Sequence, residues 1–191
     1  MNSIKLQHKY FYKDNIVCCI FYTINDVFED FYETYHENGN LESKTFFKNG
    51  KMNGIYKEFY KNGNIKDECV YKNDVLCGKH IRWFENGNKL LECYYENNKL
   101  NGKYEEWYEN GNILNKCFYK NNKKEGKYEE WYKNGILKCN IKYKNDRRNG
   151  IVEFWYNNGM KMCKHYSKNG FYNGSFEYWF FYKINFKVKI F

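Results

Sequence analysis

Apolar and polar side chains alternate along most of the chain, and the alternation breaks at regular places. Residues 102–108 run Gly-Lys-Tyr-Glu-Glu-Trp-Tyr, Glu109-Asn110-Gly111-Asn112 follows, and a second alternating run covers Ile113 to Tyr119. A period of two on both sides of Asn-Gly predicts a β-hairpin, with Asn110 and Gly111 as a two-residue type I′ loop whose residues both take positive φ. Cross-strand partners then sum to 221, which places Glu105 opposite Lys116. The same rule pairs Glu33 with Lys44, Lys57 with Glu68 and Glu153 with Lys164. Opposite charges directly across a ladder contribute roughly 0.2–1 kcal/mol each, and the inverted order in Lys57–Glu68 supports the register from within the chain. Glu58 opposite Asp67 is a like-charged exception.

The pattern recurs every 24 residues. Gly54, Gly78, Gly102, Gly126, Gly150 and Gly174 form one column, and Gly39, Gly63, Gly87, Gly111, Gly135 and Gly159, the glycines of the hairpin loops, form another. Aromatic residues keep the same register at Tyr35, Phe59, Trp83, Trp107, Trp131, Trp155 and Trp179, with Tyr60, Phe84, Tyr108, Tyr132, Tyr156 and Phe180 beside them. Such self-similarity marks a repeat array in which each unit contacts only its neighbours. We read residues 1–191 as a single array of about eight units: a degenerate cap over 1–29, core repeats over 30–173 and a closing half-unit over 174–191. In the last of these, Phe186-Lys187-Val188-Lys189-Ile190 reads as a strand with a charged side, suited to a closing edge.

The link between hairpins, such as Tyr119 to Gly126, sets how they stack. A four-residue loop would keep equivalent residues in line and set Tyr71 over Gly78, Tyr95 over Gly102, Tyr119 over Gly126 and Tyr143 over Gly150, each ring covering a residue without a side chain. A two-residue loop would shear the stack by two residues per unit, so the in-line version is preferred. Alternation then puts Tyr104, Tyr108, Ile113, Cys117 and Tyr119 on one face, and Lys103, Glu105, Trp107, Leu114, Lys116 and Phe118 on the other. The expected fold is all-β: an elongated single-layer antiparallel meander of stacked β-hairpins, twisted or coiled, on the order of 70–75 Å long at about 4.8 Å per strand. With no second sheet, large rings must reach adjacent rows, which accounts for an aromatic content of 22%.

Composition adds less. The chain has 191 residues and no proline, its 32 Lys+Arg exceed its 23 Asp+Glu, and Lys far outnumbers Arg; AT-rich coding produces such a profile, so part of the charge is compositional drift. The distribution is more informative, because the excess of +9 lies in residues 133–191, with 12 basic and 3 acidic groups. No apolar run approaches the roughly 18 residues of a membrane helix, and the apolar stretch Ile16–Tyr22 is too short for one and lacks a small-residue cleavage site. The expected location is cytoplasmic, in a reducing compartment.

Catalytic chemistry finds no footing. Eight cysteines include the columns Cys69, Cys93, Cys117 and Cys139, Cys163. Equivalent residues two strands apart lie roughly 9.6 Å from each other, beyond the roughly 7 Å Cα limit for a disulfide. No Cys-x-x-Cys occurs, and His8, His36, His80 and His165 do not cluster in sequence, so buried free thiols and no metal or cofactor are expected. Cys18 and Cys19 point to opposite faces if extended. The Glu-Glu pairs at 105–106 and 129–130 likewise face opposite sides of a strand, no serine sits in a nucleophile elbow, and no glycine-rich phosphate loop precedes a helix.

The segments Gly-Lys-Tyr-Glu-Glu-Trp-Tyr-Glu-Asn-Gly at 102–111 and Gly-Lys-Tyr-Glu-Glu-Trp-Tyr-Lys-Asn-Gly at 126–135 resemble MORN repeats, and most of all the longer variant in bacterial antitoxin-like proteins. The resemblance is clear over residues 30–180. It implies stacked hairpins and a protein- or membrane-interaction role, with no catalytic residue to carry over. The expected function is therefore a non-enzymatic protein-interaction scaffold with an unidentified protein partner, using Trp83, Trp107, Trp131, Trp155 and Trp179, since Trp is enriched at interface hot spots. The alternative is peripheral association with anionic lipid through Lys142, Lys144, Arg147, Arg148, Lys161 and Lys164. An antitoxin-like binding role comes third, by resemblance alone. Nucleic acid ranks behind these, because only Arg82, Arg147 and Arg148 could make bidentate contacts.

Overall fold

The computed structural model describes residues 4–179. All regular structure among them is extended: sixteen strands of one open antiparallel sheet, joined in sequence order. The chain divides into two compact units, residues 1–90 with 94–99, and residues 91–93 with 100–191. The first contains β1 (Lys5–Phe11), β2 (Val17–Ile24), β3 (Val27–Tyr35), β4 (Leu41–Lys48), β5 (Lys51–Met52), β6 (Gly54–Phe59), β7 (Ile65–Lys72) and β8 (Val75–Trp83). β9 (Lys89–Glu96) supplies residues to both. The second continues with β10 (Lys99–Trp107), β11 (Ile113–Lys120), β12 (Lys123–Trp131), β13 (Leu137–Lys144), β14 (Arg147–Trp155), β15 (Lys161–Lys168) and β16 (Phe171–Tyr178). The expected closing strand at 186–190 and the aromatic position 180 lie outside the described residues.

The hairpin register is the expected one, but the turns exchange roles. Glu105 faces Lys116, Glu33 faces Lys44, Lys57 faces Glu68 and Glu153 faces Lys164. The Asn-Gly loops, however, are not type I′. Only the glycine has positive φ (Gly111, 85°), Tyr108 N–H donates to Asn112 O at 2.8 Å, and Gly111 N–H donates to Tyr108 O at 2.9 Å. This is the three-residue loop that ends in a left-handed glycine. Its extra residue is absorbed one step into the strand, where Trp107 faces Ile113 but Glu106 faces Asn115, leaving Leu114 as a bulge.

The type I′ turns are the other ones. Asn121 and Asn122 have φ of 50° and 65°, Asn73 and Asp74 of 51° and 66°, and Asn145 and Asp146 of 51° and 64°. Asn and Asp tolerate this region because a short polar side chain bonds locally. The link is thus a two-residue loop: Tyr119 faces Lys124, Tyr71 faces Leu76 and Tyr143 faces Arg148, not the glycines expected. The anticipated shear is removed by a wide bulge, in which Gly126, Lys127 and Tyr128 together face Cys117. Pairing beyond it is back in line, with Lys116 opposite Glu129. The tyrosines meet a glycine inside the hairpin instead, Tyr119 opposite Gly102 and Tyr143 opposite Gly126.

Bulge geometry also explains why the N-terminal repeat dispenses with glycine. Gly54, Gly102 and Gly150 have φ of 132–135°, which side chains rarely adopt, whereas Gly78 and Gly126 sit at 72° and 78°. Asp30 occupies the same column at 75°, in the left-handed region open to Asp, and its carboxylate takes the Lys5 ammonium.

Successive repeats are fastened at both rows of turns by side chains reaching main chain. Asn122 accepts Leu100 N–H on its side-chain oxygen at 2.6 Å and returns its own N–H to Leu100 O at 2.9 Å. Asp146 does the same with Lys124 (2.7 and 3.0 Å), and Asp74 with Met52 (2.7 and 2.9 Å). At the opposite row Asn112 donates to Lys133 O at 2.9 Å and Asn134 to Asn157 O at 2.9 Å. Tyr60, Tyr108 and Tyr132 hydroxyls donate to the Trp83, Trp131 and Trp155 carbonyls at 2.7–2.9 Å. Between the rows, packing concentrates on one face. In the second unit Cys139, Ile141 and Val152 are buried under Tyr128, Tyr143 and Phe154; in the first, Cys69 and Thr45 are buried, and Tyr56 meets Tyr71 edge-on at 6.5 Å.

Asn122→Ala removes a clamp and places a β-carbon in left-handed backbone, so it should destabilise by about 1–3 kcal/mol. Asn122→Asp keeps the arrangement found at Asp146 and should change stability by less than about 0.5 kcal/mol. Urea midpoints of the two variants test this; equal losses would mean that the clamp contributes nothing.

Candidate functional site

The two faces differ in chemistry. The cysteine face is dense and many of its polar groups pair: Tyr104 donates to Glu106 at 2.6 Å, Asn115 also donates to Glu106, and Lys138 holds Glu130 at 2.5 Å, while His80 Nδ1, Asn115 Oδ1 and His165 Nδ1 are buried without a partner. Burial pushes the thiols of Cys69, Cys117 and Cys139 up to about 11, and the Tyr56 and Tyr119 hydroxyls up to about 12. Tyr104 and Tyr128 rise further, through burial and the carboxylates of Glu106 and Glu130. Groups held this firmly in their neutral forms do not supply a base or nucleophile at neutral pH. All eight cysteines are free thiols. One expectation fails here: Cys18 is itself a bulge residue, since Tyr10 faces Cys19 while Phe11 faces Val17. Strict alternation is broken at that point, and the neighbouring Cys18 thiol adds to burial in raising Cys19.

The other face is open and lined with lysines. The like-charged pair Glu58–Asp67, on the cysteine side, is compensated locally, by Lys66 at 2.6 Å from Glu58 and by Arg82 at 3.4 Å from Asp67, and His80 Nε2 lies in hydrogen-bond contact with Asp67 at 2.8 Å. On the lysine face the Lys–Glu pairs run along or across strands: Lys103–Glu105 at 2.8 Å, Lys127–Glu129 at 2.6 Å, Lys44–Glu33 at 2.7 Å and Lys57–Glu68 at 2.9 Å. Where the bulge glycines interrupt the side-chain rows, shallow recesses open. In the first unit a recess of about 450 Å³ beside Gly54 is lined by Phe31, Phe46 and Ile55 between Lys44 and Lys57. In the second, one of about 440 Å³ beside Gly126 surrounds Phe118 with the Lys103–Glu105 and Lys127–Glu129 pairs. Another of about 560 Å³ beside Gly150 joins Ile151 and Tyr166 to Lys127 and Lys142. Phe118 and Ile151 are 49% and 50% exposed, a high value for side chains of that kind.

The tryptophans take a more structural place. Trp83, Trp107, Trp131, Trp155 and Trp179 are all half-buried. Lys116 lies over the Trp131 ring at 5.4 Å, and Lys161 over Trp155 at 5.4 Å and Trp179 at 5.7 Å, while several of their carbonyls take the tyrosine hydroxyls. Ring faces already covered by cations offer less to a partner than Phe118 or Ile151 does. Those positions had a sequence signal, an apolar residue beside a bulge glycine on the charged side of the alternation, but it becomes readable only once the bulge is known.

The C-terminal basic residues fall into groups. Lys161 and Lys164 share Glu153 at 2.8 and 3.9 Å. Lys144 faces Arg147 across the Asn145–Asp146 turn, Lys142 lines the recess beside Gly150, and Arg148 is turned toward Cys139 and His165 of the cysteine face. Among the described residues Lys142, Lys144, Arg147 and Arg148 form no ion pair. No helix there is long and apolar enough to cross a membrane.

A family model described as the MORN repeat variant matches the chain five times, over residues 32–49, 52–73, 76–97, 100–121 and 124–145, together more than half of its length. Each full match begins one strand residue after a type I′ turn and ends within the next, so the matched unit coincides with the clamped one. No curated protein matches the chain in sequence.

Raising a thiol from 9 to about 11 lowers its thiolate fraction about a hundredfold at pH 8. Iodoacetamide labelling of the folded protein at that pH, read by peptide mass mapping, should reach the half-buried Cys18 and Cys77 before the buried thiols. Cys69, Cys117 and Cys139 should react only after denaturation. Early labelling of Cys139 would contradict the closed packing of that face.

Proposed function

The chain belongs to the MORN repeat family in its variant form, and on that premise we propose that it is a non-enzymatic scaffold that binds a protein on its lysine face. Repeats of this family commonly serve as protein- or membrane-interaction modules. The observation that carries the reading is the recurrence of one recess at three bulge glycines, Gly54, Gly126 and Gly150: an exposed apolar side chain beside the glycine, flanked by lysines. A recess with an apolar floor and a charged rim is the arrangement of a docking surface, in which apolar anchors supply affinity and the rim supplies register. The cysteine face, by contrast, spends many of its polar groups on one another. Photo-crosslinking residues substituted at Phe118 and at Ile151 should capture the same partner in a lysate of the source cells, and a crosslinker at Tyr128 on the cysteine face should not. Phe118→Lys together with Ile151→Lys should abolish that capture while far-UV circular dichroism stays unchanged. Capture from Tyr128 alone would place binding on the other face.

A second reading, association with anionic lipid, is favoured by the unpaired cations Lys142, Lys144, Arg147 and Arg148 around the Asn145–Asp146 turn. Each basic side chain near an anionic surface contributes about 1 kcal/mol, screened beyond a Debye length of about 8 Å at physiological ionic strength. Co-sedimentation with phosphatidylserine vesicles should weaken steeply with added salt and fall when these four residues are changed to Gln. Binding that survives both treatments would count against this reading.

A further inference from the structure

Asp67 and Cys69 stand two apart on β7 and so share the cysteine face. His80 reaches them from β8, and the wide bulge is what brings it there. Glu68 faces Ile81 and Val70 faces Cys77, so Gly78, Lys79 and His80 together lie opposite Cys69. A bulge re-aims the side chains within it. One donor atom of each residue, a carboxylate oxygen, a thiol sulfur and an imidazole nitrogen, lies within 4.8 Å of the other two. His80 Nε2 is 2.8 Å from Asp67 Oδ1, while Arg82 Nε lies 3.4 Å from the other oxygen, Oδ2. His80 Nδ1 is buried with no hydrogen-bond partner.

We propose that Asp67, Cys69 and His80 form a binding site for a thiophilic divalent cation, with zinc the best fit. Zinc takes thiolate, imidazole and carboxylate together, at about 2.0–2.3 Å from each, which places tetrahedral ligand atoms roughly 3.3–3.7 Å apart. The donor atoms, within 4.8 Å of one another, draw in by about 1 Å at most to meet that spacing. With three protein ligands the fourth position is left to water or an incoming donor. Arg82 on the outer oxygen of Asp67 orients the carboxylate, as partners of metal ligands do.

The strongest support is internal to the chain. At the three equivalent positions one repeat earlier stand Ser43, Thr45 and Tyr56; two repeats later stand Asn115, Cys117 and Tyr128; three repeats later Cys139, Ile141 and Val152. Those trios are packing or hydrogen-bonding sets. Four repeats later Cys163, His165 and Phe176 bring a thiol and an imidazole but no carboxylate, and among the described residues only Asp67, Cys69 and His80 gather all three ligand types. His80 Nδ1 is buried without a partner, as are Asn115 Oδ1 and His165 Nδ1 in equivalent trios, but among the described residues only the His80 ring stands beside both a carboxylate and a thiol.

Cobalt(II) titration of the reduced full-length protein tests the site. One equivalent should produce a thiolate-to-cobalt charge-transfer band with tetrahedral ligand-field bands, and one equivalent of zinc should displace it. Cys69→Ser should abolish the charge-transfer band. Asp67→Asn with His80→Tyr introduces the residue types the chain already carries at Asn115 and Tyr128, so the fold is retained; zinc affinity should drop by at least about tenfold. Unchanged spectrum and affinity in that double variant would put the metal on other thiols and overturn the assignment. So would the absence of any charge-transfer band in the unsubstituted protein.

Discussion

The structure depends on a side chain standing in for main chain. A stack of two-stranded hairpins leaves rows of turns along both edges, where main-chain groups point away from the ladder and neighbouring repeats have nothing to hold one another by. Here asparagine and aspartate fill that gap. Asn122 both accepts from and donates to Leu100, Asp146 does so with Lys124, and Asn112 and Asn134 reach forward to the carbonyls of Lys133 and Asn157. Each bond of this kind is worth about 1 kcal/mol net, but the clamp recurs at Asp74, Asn98, Asn122 and Asp146 and needs no second layer. The positive φ of the type I′ turns is what aims those side chains, so turn geometry and stacking are one constraint.

This constraint divides the work between the two faces. With the edges clamped, one face can close over thiols, tyrosines and a few aliphatic residues. The other is released from packing duty. Its glycine bulges, required to cancel the offset of the two-residue links, leave openings floored by Phe118 or by Ile151 and Tyr166. The proposed docking surface is thus a by-product of register correction. The Asp67–Cys69–His80 cluster arises from the same device acting on the opposite face, where the bulge swings His80 toward Cys69.

Much of this was legible in the residues alone, and the failures have a common cause. The 24-residue period and the charge pairs gave the hairpin register, because facing Lys and Glu report pairing whatever the turn. Turn types were assigned the wrong way round, since Asn-Gly is compatible with two loop geometries and Asn-Asn advertises neither. The choice is made by the longer-range clamp, which a single hairpin does not contain. From the misplaced link followed the pairing of Tyr119 with Gly126 and the invisibility of the recesses. His80 escaped notice because metal ligands were sought at fixed spacings along the chain, whereas this trio is assembled across a bulge. The family itself was readable from the aromatic and Asn-Gly positions, because those positions build the hairpin.

The clamps have a kinetic consequence as well. Extended-sheet proteins are usually slow to fold, because strands distant in sequence must find each other before any contact rewards the search. In this chain, apart from the short β5, which pairs only with β4, strands pair with their neighbours in sequence, and the clamping side chains reach only 20–23 residues. Loop-closure entropy stays small at every step, and no pairing waits on another far away. Sheet formation here has the locality more usual in helical bundles, so ordering can begin at any hairpin and spread along the chain in both directions.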